Sequence, residues 1–384
     1  MAYRAMMILG TRAEAIRMAP LARALIRLPQ IHLHICTVGP AGDGLPQLLQ
    51  AFELEVDDDL VALIEAPSLN ACSQHLLGQL DPIYARLQPD AVLVHGDTTT
   101  SLIAALAAFH RRIPVAHVEA GLRTSEPQVP WPEDANRRLA AVLADLHFPP
   151  TSKARDNLLR EGVPLERIEV AGNTLIDALL WMRGHLRGRS WRPEPTSPLV
   201  RLGESRRLVL VSGQRRDSLS PGLERTCQAL ATLAGRYPEV DFVCAKDLVP
   251  ALREPVQALL AGHANLLLLA PQDYRHFVWL MDHAYLILTD SVDIQEQAPA
   301  LGKPLLVLRK LAERPTVLEG GTALLVGTDV HRIVDQTALL LEDAELHERM
   351  SRPFTPYGDG HASERIAARL CAWLEQRRAE KRCA

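Results

Sequence analysis

Aromatic residues are scarce in this chain: phenylalanine, tryptophan and tyrosine make up 4% of its 384 residues. Its interiors must therefore be built mainly from leucine, alanine, valine and isoleucine. The six cysteines, Cys36, Cys72, Cys227, Cys244, Cys371 and Cys383, include no C-x-x-C pair. Their scatter argues against a zinc site and a disulfide framework and suits a reducing cytoplasm. Cys36 and Cys244 lie inside apolar strand-like runs, as small buried thiols do. There is no large charge of one sign, only a formal net charge of -4, so electrostatics gives no reason to expect a nucleic-acid partner. The basic tail from Arg377 to Arg382 reads as the solvated face of a helix. No run of about 18 apolar residues and no signal-peptide pattern occurs, so no membrane span is expected and the setting expected is the cytoplasm. The dinucleotide fingerprint G-x-G-x-x-G is missing too, as are short repeats and low-complexity segments.

What is present is an alternation. With 47% hydrophobic and 23% charged residues, the chain can bury two cores, and its length suits two domains. Short apolar runs at Ala5–Leu9, Leu33–Cys36, Ala91–His95 and Val115–Val118 read as strands buried on both faces. Helical spacing fills Glu14–Leu28, Leu69–Leu87 and Ser101–His110. The rhythm weakens between Arg183 and Arg206, where proline, arginine and tryptophan mark a surface linker or domain crossing. It restarts with strands at Leu208–Val211, Val240–Cys244, Leu266–Leu269, Tyr285–Leu288 and Pro304–Leu308. Strict alternation implies α/β domains with parallel sheets and right-handed crossovers. We expect a first domain over 1–175 and a second over 176–360. The closing helix, 361–384, can return to the first; the sequence leaves that open. Ligands of open parallel sheets bind beyond the carboxyl ends of the strands, so polar residues there matter most.

Three such ends stand out. The first strand runs into Gly10-Thr11-Arg12-Ala13-Glu14, a glycine turn at a helix start with a fixed cation suited to phosphate; a plain structural turn has the same pattern. Val92-Leu93-Val94-His95-Gly96-Asp97 puts Asp97 just past a buried strand, where it serves either chemistry or a helix N-cap. Pro114–Val118 leads to Glu119-Ala120-Gly121-Leu122-Arg123. Glu133 then falls in the first turn of the next helix, where the dipole alone would favour it. Together, Asp97, Glu119 and Glu133 can supply a general acid and base for proton transfer at carbon, and their mutual repulsion should raise at least one pKa.

The strings GTRAEAIRMAPLARAL, VHGDTTTSLIAALAAF, IPVAHVEAGLRT, PEDANRR, LADLHFPPTSKARDNLLREG and AGNTLIDAL resemble the first half of the non-hydrolysing UDP-N-acetylglucosamine 2-epimerases. REPV, YLILTD, LGKPLLVLR, ERP and LVGTD extend the resemblance through the second. It implies a GT-B architecture, with two Rossmann-like domains around a cleft, and a homodimer. It also implies inversion of C2 of a nucleotide sugar: UDP is eliminated to leave an acetamido-glycal and is then added back. No redox cofactor is needed, no metal site is expected, and the partner is a nucleotide sugar, with cell-envelope or capsule polysaccharide as the setting. By this match Asp97, Glu119 and Glu133 form the acid/base group, with Arg12 and Arg17 assisting near the nucleotide; the family usually has lysine at the latter place. Arg123, Asn136, Arg137, Arg215, Ser291, Glu296 and Arg314 are the expected substrate contacts.

The second half departs from the family pattern. Where the family reads His-Arg-Arg-Glu-Asn, this chain reads Gln214-Arg215-Arg216-Asp217-Ser218, and glutamine cannot gain a proton near neutral pH. Asp247 stands where a second histidine is expected. The family's Thr-Asp-Ser-Gly-Gly becomes Thr289-Asp290-Ser291-Val292-Asp293, which brings a branched side chain and a negative charge to a diphosphate-binding turn. Gln297 replaces the second of two glutamates, leaving Glu296 for a ribose. In the first half, Gly39-Pro40-Ala41-Gly42-Asp43 replaces the Gly-Gln-His-Arg-Glu of a regulatory substrate site. The residues leave two readings: a 2-epimerase with altered nucleotide binding or substrate, and a nucleotide-sugar-binding or regulatory paralogue without catalysis. A sugar transferase on the same fold is a third, against which the GDTTT and EAGLRT blocks speak.

Overall fold

A computed structural model describes residues 2–40, 44–61, 68–124, 130–202, 206–216, 220–311 and 315–383, with 201, 214–216, 246–247, 315 and 381–383 described by backbone alone. The chain divides into two compact units, Met1–Trp181 with Tyr357–Ala384, and Met182–Pro356.

In the first unit the order is β1 (Tyr3–Leu9), α1 (Arg12–Ile26), β2 (Ile31–Gly39), α2 (Leu45–Gln50), β3 (Asp58–Val61), α3 (Leu69–Leu87), β4 (Ala91–His95) and α4 (Thr99–His110). Then follow β5 (Val115–Val118), α5 (Glu133–Leu143), β6 (Leu146–Phe148) and α6 (Ser152–Arg160). Helix α7 (Thr174–Gly188) carries the chain into the second unit. All six strands are parallel, in the order β3-β2-β1-β4-β5-β6. The order reverses between β1 and β4, which makes that pair the switch point of a doubly wound sheet. Met7 pairs with Ile35 on one side and Leu93 on the other. Met6, Ile8, Val92, Val94, Leu76 and Tyr84 share one core cluster. This agrees with strands read as apolar on both faces.

The second unit repeats the plan with β7 (Arg207–Arg216), α8 (Pro221–Arg236), β8 (Val240–Leu248), α9 (Pro250–Leu260), β9 (Leu266–Leu268), α10 (Tyr274–His283) and β10 (Leu286–Thr289). It continues with α11 (Val292–Ala300), β11 (Leu305–Val307), α12 (Pro315–Glu319), β12 (Ala323–Leu325), α13 (Val330–Glu342) and α14 (Ala344–Met350). Its parallel order, β12-β11-β10-β7-β8-β9, is the same topology with the switch point between β7 and β10. Val209, Val211, Phe242, Leu286, Leu288 and Leu306 are central to its core. Both sheets are thus the α/β class expected.

Helix α15 (Ala362–Cys383) belongs to the first unit. Asp177, 4% exposed, accepts from the backbone N–H groups of Ala362 and Ser363 at 3.3 and 2.6 Å and so caps its start. Burial raises the Asp177 pKa, opposed by these bonds. Arg365 reaches Ala171 O at 2.9 Å and Arg369 reaches Glu166 O at 2.7 Å. Beside this junction Trp181 stacks on Phe52, ring centroids 5.3 Å apart, beneath the Arg23 guanidinium at 4.3 Å. Few aromatics are present, and these two join the segment after α2 to α7.

Candidate active site

The site begins at the switch point of the first sheet. Thr11 caps α1 by accepting from Glu14 N at 3.2 Å. In a Thr-x-x-Glu box the glutamate normally folds back on its own helix start. Here Glu14, 3% exposed, accepts from Gly10 N at 2.7 Å, Thr98 Oγ1 at 2.6 Å and Ser101 Oγ at 2.9 Å. One buried carboxylate therefore ties the β1–α1 turn to the β4–α4 turn. Burial raises its pKa, and the hydrogen bonds pull the other way. The turns approach so closely that a Cβ on Gly10 would lie 2.6 Å from Thr100 Cβ. Sequence reasoning passed over Glu14 as a functional residue; its signal was the capping pattern around Thr11.

Past β4, it is Thr98 that caps α4, accepting from Ser101 N at 3.1 Å. The N-cap explanation for Asp97 is thereby removed. Asn136 Nδ2 donates to Asp97 O at 2.9 Å, and Arg137 forms an ion pair with the Asp97 carboxylate. Behind the turn, His117, fully buried on β5, lies 2.7 Å from Gly96 O through Nε2. The acceptor is a carbonyl, so Nε2 carries the proton. Burial lowers the His117 pKa to about 4 and that of its register partner His147 to about 3. Both rings are neutral struts at physiological pH.

Glu119 follows β5 with φ +59°, a left-handed conformation that costs a non-glycine residue roughly 1 kcal/mol. Its Oε2 lies 3.1 Å from His95 Nε2 and 4.0 Å from Arg17 Nε. Two residues on, Gly121 has φ +80°, and a Cβ there would fall 2.3 Å from Ala154 O. The chain after Glu119 must therefore turn tightly against α6. Glu133 is the first residue of α5, and its Oε2 is buried without a hydrogen-bond partner among the described residues. Burial is the largest influence on Asp97 and raises its pKa; Arg137 opposes it, Glu119 and Glu133 add to it, and Arg17 lowers it. The structure thus brings Asp97, Glu119, Glu133, Arg17, Asn136 and Arg137 together. His95 joins them, a residue the sequence reading left inside its strand.

Arg123 is placed differently. Its side chain is 7% exposed and forks onto Glu161 at 2.8 and 2.6 Å, bracing the turn to α6. Next to it, Asp134 is fully buried; burial works against its charge, but Thr124 N and Arg138 hold its pKa low. Arg12 is exposed at the start of α1, near Gly44.

In the second unit Ser291 is the N-cap residue of α11 but makes no side-chain cap bond; its N–H donates to Thr289 Oγ1 at 3.0 Å. Val292 and Asp293 form the first turn, and Glu296 is 6% exposed one turn later. Arg309 Nε donates to Asp290 O at 2.6 Å. Arg215 and Gln214 fall in β7 and Asp247 in β8, with their side chains outside the described set. Arg314 and residues 41–43 of the changed regulatory segment lie outside the described residues. Among the described residues no histidine, cysteine, aspartate and glutamate group is arranged to hold a metal, and no helix is long and apolar enough to cross a membrane.

Comparison with known proteins gives a consistent picture. A family model described as UDP-N-acetylglucosamine 2-epimerase matches residues 23–371. A UDP-N-acetylglucosamine 2-epimerase of Yersinia pestis is 47% identical over 364 residues, 94% of this chain and 97% of the relative. That of Escherichia coli K12 is 46% identical over the same shares of both chains. The crystal structure of the Neisseria meningitidis UDP-GlcNAc 2-epimerase bound to UDP-GlcNAc superposes with a TM-score of 0.84 at 39% identity, covering 96% of this chain and 100% of that one.

Proposed function

The chain belongs to the UDP-N-acetylglucosamine 2-epimerase family, and on that premise we propose that it inverts C2 of UDP-N-acetylglucosamine or a close relative through Asp97, Glu119 and Glu133. The observation that carries this reading is the Asp97 carboxylate, raised in pKa by burial while two further carboxylates and two arginines surround it. Inversion needs a base on one face of C2 and an acid on the other. One carboxylate takes the C2 proton as the C1–O bond breaks, and UDP departs with the bonding electrons. A protonated carboxyl then returns a proton to the opposite face of the glycal, and a diphosphate oxygen re-forms the bond at C1. A raised pKa favours the protonated carboxyl that this step needs, and Arg17 and Arg137 offset the charge of the group.

The nucleotide end of the proposal rests on Ser291 and Glu296 at α11, with Arg12, Arg215 and Arg314 as further contacts; assembly as a homodimer and a cytoplasmic role in surface polysaccharide supply belong to it as well. Altered nucleotide binding is part of the same reading. Asp293 sits in the first turn of α11, where it answers the helix dipole that a diphosphate would otherwise use. This favours weak UDP binding, and it is also the observation behind the second reading, a nucleotide-sugar-binding paralogue without turnover.

Proton NMR with UDP-N-acetylglucosamine in D2O separates the two. Deuterium entering C2, with or without the manno product, is the expected result. No exchange from a protein that binds the nucleotide sugar, beside an active control epimerase, would leave the binding paralogue.

A further inference from the structure

Beyond the carboxyl ends of β11 and β12, two strands out from the second switch point, lies a pocket that the proposed reaction does not use. Arg225 from α8, Arg309 and Lys310 after β11, and Arg332 from α13 line it together with Thr328. Arg225 is set by two bonds, Nε to Thr328 O at 2.8 Å and Nη2 to Thr328 Oγ1 at 3.0 Å. Arg332 Nη2 donates to Leu325 O at 2.8 Å. These bonds to neutral oxygens fix the guanidinium planes without cancelling their charge and leave other N–H groups of each fork unused. Among the described residues no carboxylate pairs with Arg225, Lys310 or Arg332. The carboxylate on the lining is Asp329, and its Oδ1 already accepts from Arg332 N at 2.9 Å as the cap of α13.

Arg225, Lys310 and Arg332 outnumber the one carboxylate of the described lining, Asp329, so the concavity is net positive and an anion would relieve the repulsion of its cations. Ordinary surface arginines avoid that arrangement or pair with acids, as Arg123 does with Glu161 in the first unit. Two planar forks held on different helices, with a lysine at the rim, match the several oxygens of a phosphoryl group. The geometry points to a second anion site here, one that takes a phosphate or diphosphate group separate from the one a nucleotide sugar carries to α11. The anion proposed here is one that UDP held at α11 leaves unbound, so pyrophosphate is tested both alone and beside UDP.

Inorganic pyrophosphate is titrated calorimetrically into the full chain at low ionic strength, alone and after saturation with UDP. The site predicts one pyrophosphate bound per chain in the presence of UDP, with affinity falling as salt rises. In R225Q/R332Q that binding weakens roughly tenfold or more, while UDP binding is unchanged. Lys310→Gln, exposed at the rim, gives a smaller loss and serves if the double variant fails to fold. Should UDP not bind at all, the nucleotide reading fails, yet loss of pyrophosphate in the variants still supports this pocket. Pyrophosphate binding abolished by UDP, absent altogether, or untouched by the substitutions would overturn it.

Discussion

At the switch point of the first sheet, Glu14 gathers donors from both turns and holds them beneath a cluster of three carboxylates. At that of the second sheet, the first turn of α11 carries Asp293, and Ser291 leaves its cap position unbonded. The strand order is the same in both. One turn is thus built to keep negative groups close against their own repulsion. The other is a helix N-terminus whose positive end is already answered from within. The same topology supplies positions at strand ends; the side chains placed there decide whether charge is concentrated or neutralised.

The comparison breaks most directly at Asp97. If it is the acid/base group whose environment the first switch point maintains, Asp97→Asn should lower kcat by about 10^2 to 10^4-fold and abolish deuterium entry at C2. As the protonated acid, Asp97 sets the alkaline limb of the wild-type rate profile, and its raised pKa moves that limb above 3.8, the ordinary aspartate value. A variant that retains exchange would remove Asp97 from the chemistry.

The struts behind this turn predict an acid-labile first unit. His117 and His147 are buried with pKa values lowered to about 4 and about 3 from 6.5. Below pH 6.5 the unfolded chain takes up protons that the folded one refuses, so stability falls as pH falls toward 4. Between pH 6.5 and 5 the loss is roughly 2 kcal/mol per histidine. Urea unfolding at the two pH values measures it, and His117→Asn should remove its share of the slope. An unchanged slope in that variant would mean that His117 is not held neutral.

Glu14 comes next. Glu14→Ala strips the acceptor from Gly10 N and from two hydroxyls, one of them on Ser101, which is 1% exposed. Thr98 and Ser101 keep acceptors in Ser101 Oγ at 3.2 Å and His95 O at 2.7 Å, but stranding Gly10 N and emptying the buried carboxylate site costs about 1–3 kcal/mol in urea unfolding. Stability within a few tenths of wild type would show that water replaces the carboxylate at no loss.

How much of this could be read in the residues differs between the units for physical reasons. Buried strands such as β4 and β5 and the helix α3 were legible to the residue, because their apolar runs stop at polar turns. Strands β3, β6 and β12 were not foreseen; β3 opens on two aspartates and β6 holds a histidine, so neither has the unbroken apolar run that marked the equally short β9 and β11. Strands β7 and β8 run on to Arg216 and Leu248 past the end of their apolar stretch, since pairing there depends on backbone and not on side-chain polarity. Asp97 was legible from Gly96-Asp97 followed by threonines, though only the Thr98 cap decided against its structural use. His117 was not, because a histidine inside a buried strand looks like part of the core until its partner, Gly96 O, is seen.

The smallest expected effect sharpens the comparison from the other side. Replacing Val292 and Asp293 with glycine returns the turn of α11 to an open one and frees the helix dipole. Removing one carboxylate from the vicinity of a diphosphate is worth about 1 kcal/mol or somewhat more at a partly solvated helix end. UDP affinity in V292G/D293G should therefore rise by roughly five- to tenfold, most at low salt, as read by calorimetry. Glycine also loosens the helix start, so Asp293→Asn alone separates charge from backbone. If the asparagine variant gains most of the affinity, the second switch point is weakened by charge. If only the double glycine variant gains it, the branched side chain of Val292 blocks approach. If neither gains, α11 does not weaken nucleotide binding, and the proposal of altered binding at this turn fails.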